Sequence, residues 1–136
     1  MENTIATKAT AQNDRCILPQ FRRFAMGEGI LKADGAIRKD KGEGYFRHYY
    51  PEGGIIEEIG PTGIKVKFSF DRVAFSRLER EEPRKAAVFC RYNAEMFGSV
   101  PCDIAHLARL YESTPAQIKR EIHEAERKVL RIISVN

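Results

Sequence analysis

The stretch DIAHLARLYESTPAQIKREI, residues 103–122, has the pattern of a short helix, a tight turn and a second helix. Thr114 is a predicted N-cap, because its hydroxyl can accept a hydrogen bond from the free amides that begin a helix. Pro115 falls at the first helical position, where a missing N–H costs nothing. Gln117 stands three residues after Thr114, as a capping box requires.

Both predicted helices carry an apolar stripe at helical spacing. The first helix has Ile104, Leu107, Ala108 and Tyr111 on its apolar side. The stripe of the second consists of Ile118, Ile122, Ala125, Val129 and Ile132 or Ile133. Basic residues are spread over the rest of the second helix, at Lys119, Arg120, His123, Arg127 and Lys128.

With these residues, the stretch resembles a DNA-binding helix-turn-helix, nearest to sigma-factor-like and phage-regulator modules. In that family a small residue in the first helix lets the second approach closely, and Ala108 stands at that place. The apolar residue that pins the second helix is Ile118. The turn usually has a glycine followed by an apolar residue, whereas this chain has Glu112 and Ser113.

The resemblance implies a second helix that faces the major groove or its phosphates. It also implies double-stranded DNA as partner and a homodimer, since one helix-turn-helix usually needs a second half-site for adequate affinity. The helix before the pair should pack across it and complete a three-helix unit. The implied DNA contacts are Thr114, Ala116, Gln117, Lys119, Arg120, His123 and Arg127.

Upstream, three segments rich in β-formers predict an antiparallel meander. They are Tyr45–Tyr50, Ile55–Ile59 and Ile64–Phe70, separated by turn clusters at 51–54 and 60–63. The third segment alternates cleanly in polarity, which predicts that its apolar residues face a core. Those residues are Ile64, Val66, Phe68 and Phe70.

Two further helices are expected between the meander and the quoted stretch. Asp71 is a predicted cap for a helix from Arg72 to about Glu81, which Pro83 ends. The next helix is predicted over Arg84–Phe97, with Gly98 as its stop. The inner side of the first of these helices is predicted at Val73, Ala74 and Leu78.

The predicted fold is therefore α+β: a small antiparallel three-stranded β-meander followed by a C-terminal three-helix helix-turn-helix unit. The polar stretch 1–14 is expected to be a flexible leader. Residues 15–83 are expected to hold the meander with its following helix, and 84–136 the helix-turn-helix unit.

The strand Tyr45–Tyr50 interleaves aromatic and basic residues, which leaves two interpretations open. Such a strand can stack on unpaired bases, or it can be half-buried with tyrosine hydroxyls reaching water. Lys65 and Lys67 on the third strand are candidates for a wing against the DNA backbone. The backbone or partner contacts that follow from these ideas are Lys65, Lys67, Arg47 and Tyr49.

Composition narrows the functional classes. A net charge of +4 and a pI of about 9.0 are mildly basic and compatible with nucleic acid. Three cysteines without a close pair favour a reducing cytoplasm over a disulfide framework. No apolar run approaches the length of a membrane span, so a cytoplasmic protein without a membrane partner is expected.

No constellation of catalytic residues is found, so an enzyme is not predicted. Cys90, Cys102 and His106 come nearest to a metal set, but they lack a paired Cys-x-x-Cys and a fourth ligand. No metal and no cofactor are therefore expected. The functional prediction is a DNA-binding transcriptional regulator. The alternative is a small protein-binding inhibitor or an RNA-polymerase-directed factor, since many glutamates dilute the basic surface.

Overall fold

The computed structural model describes residues 36–136, so the leader predicted at 1–14 lies outside the described residues. Five β-strands and four α-helices occupy the described range. The strands are β1 (Ile37–Gly42), β2 (Tyr45–Tyr50), β3 (Ile55–Ile59), β4 (Lys65–Phe70) and β5 (Leu130–Val135). The helices are α1 (Arg72–Glu81), α2 (Pro83–Tyr92), α3 (Ile104–Leu110) and α4 (Pro115–Val129). Short 3₁₀ turns lie at Pro51–Gly53 and Ala94–Phe97.

The strands form one antiparallel sheet in the order β1-β2-β3-β4-β5. All four helices lie between β4 and β5 in the chain, and β5 returns to pair with β4, with Leu130 opposite Phe70. The predicted fold of a three-stranded meander followed by a three-helix unit is therefore wrong. Two further strands flank the meander, and residues 84–136 contribute to both the helical layer and the sheet.

The two missed strands have different causes. β1, with the sequence IRKDKG, is an edge strand in which only Ile37 and Lys39 are partly covered, so it lacks an apolar pattern. In β5, Ile132 and Ile133 fit the helical spacing of α4, but the helix ends at Val129 and both side chains are more than half exposed. Pairing with β4 and the β-branched residues of this segment favour a strand instead.

Residues 42–45 form a tight hairpin turn between β1 and β2. Its central residues, Glu43 and Gly44, have φ values of 58° and 85°, as a primed turn requires. A Cβ on Gly44 would lie 2.9 Å from the Cβ of Pro61, so the neighbouring turn also requires a glycine there.

The helix boundaries follow local signals. The Asp71 carboxylate accepts a 2.9 Å bond from the Ala74 amide, which confirms the predicted cap of α1. Pro83 begins α2, as expected of a residue that cannot continue α1. The helix predicted over Arg84–Phe97 is shorter: α2 ends at Tyr92, and a 3₁₀ turn runs on to Gly98 in the left-handed conformation.

The helices cover one face of the sheet with an aromatic core. Phe70 of β4 lies with its ring centre 5.4 Å from that of Phe75 in α1 and 6.1 Å from that of Phe89 in α2. Two predicted inward residues lie outside this core: Val73 is 73% exposed and Ile64 is 53% exposed. Ile64 precedes β4 in the turn, so the alternation of the strand does not apply to it.

A buried ion pair fastens α4 to the sheet. Arg47 of β2 is 3% exposed and donates two parallel 2.8 Å bonds to the Glu126 carboxylate of α4. Its Nε donates to Glu58 of β3 at 2.8 Å, and its Nη1 donates to the Asn93 side chain at 2.9 Å. The fork of the guanidinium is thus bonded to two carboxylates and an amide.

Asn93 completes the network from the end of α2. Its Oδ1 also accepts a 2.7 Å bond from the Tyr49 hydroxyl, and its Nδ2 donates to Glu126 at 2.9 Å. The same Nδ2 lies 3.2 Å from the Phe89 carbonyl, near the last turn of the helix. Asn93 therefore links β2, α2 and α4 from the C-cap position of α2.

Lys39 ties β1 to the 3₁₀ turn that follows α2. Its ammonium lies 3.7 Å from the centre of the Tyr92 ring, donates to the Tyr92 carbonyl, and lies 3.4 Å from Glu95 Oε2. Burial lowers the pKa of Lys39, and the Glu95 carboxylate opposes that shift. The other Glu95 oxygen, Oε1, is buried and has no hydrogen-bond partner among residues 36–136.

The charges in the Arg47 network keep each other ionised. Burial alone would raise the pKa of Glu126, but the charge and hydrogen bonds of Arg47 outweigh it and hold that pKa below 4.5. Burial and Arg47 oppose each other at Glu58 in the same way, and the pKa of Glu58 is also lowered. Burial acts to lower the pKa of Arg47, yet Glu126 raises it, so the guanidinium remains charged.

Removing the Glu126 charge should destabilise the fold strongly. We expect Glu126→Gln to lower the free energy of unfolding by about 3–5 kcal/mol, because it leaves a buried guanidinium without its main counter-charge. Glu124→Gln, in the same helix, removes a carboxylate paired with Lys85 at the surface and should leave that free energy nearly unchanged. Urea unfolding measures both, and an equally small loss for the two variants would contradict the proposed role of Arg47.

The same pair should make the fold sensitive to acid. A carboxylate whose folded pKa is lowered adds stability above its unfolded pKa and loses it as pH falls through the folded pKa. The free energy of unfolding should therefore fall as pH drops below 4.5, through the lowered pKa values of Glu126 and Glu58. Urea unfolding at several pH values between about 7 and about 3, a range that spans the ordinary pKa of carboxyl groups, tests this expectation. Glu126→Gln should show a shallower acid loss, and an unchanged loss would exclude Glu126 as its source.

Candidate nucleic-acid interface

The last three helices share an apolar core of their own. Ala108 of α3 is 6% exposed and Ile118 of α4 is fully buried, so the small residue lies where the two helices meet. α2 completes the cluster with Val88 and Tyr92. The remaining buried members are Leu107, Tyr111 and Ile122.

The turn between α3 and α4 uses a left-handed residue. Glu112 has a φ of 51°, at the position where the helix-turn-helix pattern usually has glycine. The Ser113 amide donates a 2.8 Å bond to the Ala108 carbonyl and closes the end of α3. A non-glycine residue in this conformation is strained, so the turn is held by the packing of the helices around it.

Half of the predicted capping box is present at the start of α4. The Thr114 hydroxyl accepts a 3.1 Å bond from the Gln117 amide, which confirms Thr114 as the N-cap. The Gln117 side chain donates to Glu121 at 3.0 Å instead of returning to the cap. Its Oε1 accepts a 2.9 Å bond from Arg120, which holds Arg120 close to Gln117 on the first turns of α4.

The glutamates of α4 all bond to cations on other elements. They therefore lie on the flanks and the inner side of the helix rather than on its outward side. The pairs are Glu121 with Arg84 at 3.2 Å, Glu124 with Lys85 at 2.8 Å and Glu126 with Arg47 at 2.8 Å.

The opposite side of α4 is a basic face. Its members are exposed and none forms an ion pair with another residue in the range 36–136. Residues at these spacings project from one side of a helix. We call this the outward face and define it as Lys119, Arg120, His123 and Arg127.

The predicted DNA contacts fall in one place. Six are exposed on α4 or its cap, and Gln117 is half-buried. The Thr114 hydroxyl is used by the helix cap, so it has less freedom to bind a ligand. The exposed six are Thr114, Ala116, Lys119, Arg120, His123 and Arg127.

The predicted contacts on the strands are not brought to this face. Arg47 and Tyr49 were candidates for base stacking or partner contact, but they are 3% and 0% exposed because their side of β2 lies under the helices. Lys65 is exposed and Lys67 is half-buried. Glu58 pairs with both Arg47 and Val66, so Val66 shares the face of the sheet that α4 covers, and its neighbours Lys65 and Lys67 point to the other face. Neither lysine therefore forms a wing beside α4.

Sequence reasoning missed the residues that orient α4. Arg47, Asn93 and Glu126 come from three separate segments, and none belongs to a motif. The available signal was that Arg47 lies on the same face of its strand as Tyr49. If that face is buried, the charge of the arginine needs a partner. The identity of that partner could not be read from the pattern.

The other candidate chemistry is dispersed. Cys90 is buried, and burial raises the pKa of its thiol well above 9.0. Cys102 is half-buried and His106 is exposed on α3. Within residues 36–136, no three side chains of the metal-binding types come together.

Comparisons with protein-family models, with curated proteins and with solved structures gave no match to this chain. In the part of the chain that the structure describes, no helix has both the length and the apolar character needed to cross a bilayer.

The strain in the α3–α4 turn predicts a stabilising substitution. Glu112→Gly should raise the free energy of unfolding by about 1 kcal/mol, because glycine adopts a positive φ without a steric cost. Ser113→Gly is the matched control: Ser113 has no positive φ, so glycine there should only add freedom to the unfolded chain and destabilise. Chemical denaturation compares them, and a loss of stability in both variants would contradict the strain at Glu112.

Proposed function

We propose that this chain is a sequence-specific DNA-binding regulator that places α4 in the major groove. The observation that carries the proposal is the separation of charge on α4. Its three glutamates are bonded to cations of α2 and β2, whereas the outward face keeps its cations free of ion pairs in residues 36–136. A helix of this kind offers positive charge to phosphates and base edges, and the exposed carboxylate of Glu124 on its flank is bonded to Lys85.

The start of α4 supports base recognition as well as backbone contact. Arginine pairs well with guanine in the major groove through two hydrogen bonds. Arg120 donates a 2.9 Å bond to Gln117, one helical turn away, and Gln117 is itself bonded to Glu121. These bonds restrain Arg120 before DNA arrives, which reduces the entropy lost on binding.

The oligomeric and cellular parts of the proposal follow from this role. We propose a homodimer, because two copies of α4 reading two half-sites give the affinity that one copy lacks. A reducing cytoplasm suits the chain, since Cys90 and Cys102 are both free thiols. Two half-sites in a selected DNA sequence would support the dimer, and a single half-site would argue against it.

A second function is favoured by one observation on the sheet. Edge strand β5 exposes Ile132 by 63%, Ile133 by 53% and Val135 by 61%. An apolar strand edge offers backbone groups and side chains to an extended segment of another protein. The chain would then act as an inhibitor or as a factor that binds a protein such as RNA polymerase. A complex of that kind survives high salt, whereas a DNA complex held by cations does not.

Duplex binding by variants of the outward face tests the DNA proposal. A duplex selected from random sequences should bind with an affinity that falls steeply as salt rises, because bound cations release counterions. Arg120→Ala should cost about 1–3 kcal/mol for the selected duplex and relax its sequence preference. Lys119→Ala should weaken all duplexes alike. Fluorescence anisotropy at several salt concentrations measures these effects.

The matched control for this experiment is Lys65→Ala, which removes an exposed lysine on the face of the sheet opposite α4. It should bind the selected duplex like the wild type. If Arg120→Ala and Lys119→Ala are indistinguishable from Lys65→Ala, then α4 does not read DNA and the proposal fails.

A further inference from the structure

A cleft of about 340 Å³ lies beside the outward face, between α1 and the C-terminal end of α4. Four cationic side chains and one acidic side chain contribute to its lining. The cations are Arg77 of α1, Arg127 and Lys128 of α4 and Arg131 of β5, and the acid is Glu81. Three separate elements thus bring positive charge to one concave site.

Two of the four cations are already neutralised. Lys128 is bonded to Glu82, and Arg131 lies 3.2 Å from the Asp71 carboxylate. Arg77 and Arg127 have no ion-pair partner among residues 36–136, although Glu81 faces the same cleft. Among residues 36–136, the cleft therefore holds two guanidinium groups and one carboxylate without ion-pair partners, which leaves a net positive charge for a ligand.

Arg127 makes the cleft continuous with the outward face. It lies one to two turns beyond Arg120 and His123 on the same side of α4, and it also lines the cleft with Arg77. A ligand that follows the outward face toward the C-terminal end of α4 reaches this cleft next. Guanidinium groups bind phosphate oxygens through two hydrogen bonds, so the ligand chemistry that fits is a phosphate.

We propose that Arg77 and Arg127 together bind a backbone phosphate of the duplex whose major groove α4 enters. A major groove is about 12 Å wide, so the phosphates along its rims meet the elements that flank an inserted helix. α1 is such an element, because it packs beside α4 and opens the cleft on the side of Arg127. This inference rests on the proposed function, and it adds a contact from outside the last three helices.

The test compares two arginines of α1. Arg77→Ala removes a cation of the cleft, whereas Arg80→Ala removes an exposed arginine of the same helix that does not line it. In duplex binding across salt concentrations, Arg77→Ala should reduce the slope of log affinity against log salt by about one. The loss should be similar for selected and scrambled duplexes, because a phosphate carries no sequence. Arg80→Ala should match the wild type.

The outcomes separate this inference from the proposed function. If the wild type binds the selected duplex but Arg77→Ala matches Arg80→Ala, the cleft contact is overturned while the role of α4 stands. If the wild type shows no salt-dependent duplex binding, both proposals fall. A titration of the free protein with inorganic phosphate, followed by NMR, identifies the remaining source. If inorganic phosphate saturates the cleft while Arg77→Ala binds the duplex like the wild type, the cleft is a site for a free anion and the inference is overturned.

Discussion

The buried pair between Arg47 and Glu126 sets the orientation of α4, and the exposed surface of that helix depends on it. A helix turns by about 100° per residue, so fixing one position inward determines the direction of every other. With Glu126 held against β2, Ile118 and Ile122 enter the helical core. The basic side chains are then left on the outward face. The inward carboxylate of Glu126 and the apolar stripe of α4 thus favour the same orientation of the helix.

The distribution of charge matters more than its total. A net charge of +4 is small for a nucleic-acid-binding chain of this length, and α4 itself carries three glutamates. The fold pairs those glutamates with Arg84, Lys85 and Arg47, on the inner side and the flanks of α4. Composition alone therefore underestimates the positive potential that α4 offers to a polyanion.

The two ends of α4 connect to different parts of the molecule. The strained turn at Glu112 sets where α4 begins, and α4 passes into β5 at Leu130 with no intervening loop. The outward face and the apolar edge of β5 are consequently parts of one continuous segment. Binding of a second copy or of another protein at that edge would constrain the position of α4, so the two proposed functions are physically compatible.

Local signals allowed several features to be predicted from the sequence. The caps at Asp71 and Thr114, the break at Pro83 and the strand at Tyr45–Tyr50 each depend on neighbouring residues and agree with the structure. The exposure of six of the seven predicted DNA contacts also agrees with the sequence pattern, whereas Gln117 is half-buried. Their function remains a prediction, since exposure alone does not identify a ligand.

What the sequence by itself determined was thus the local geometry: which segments are helical, where they begin, and which side of α4 is apolar. Only the tertiary structure decided that β1 and β5 join the sheet, that Arg47 is buried, and that Arg77 shares a cleft with Arg127. The physical reason is distance along the chain. Strand pairing and buried ion pairs are formed between segments far apart in sequence, and no local pattern specifies the partner of a charge or of a strand edge.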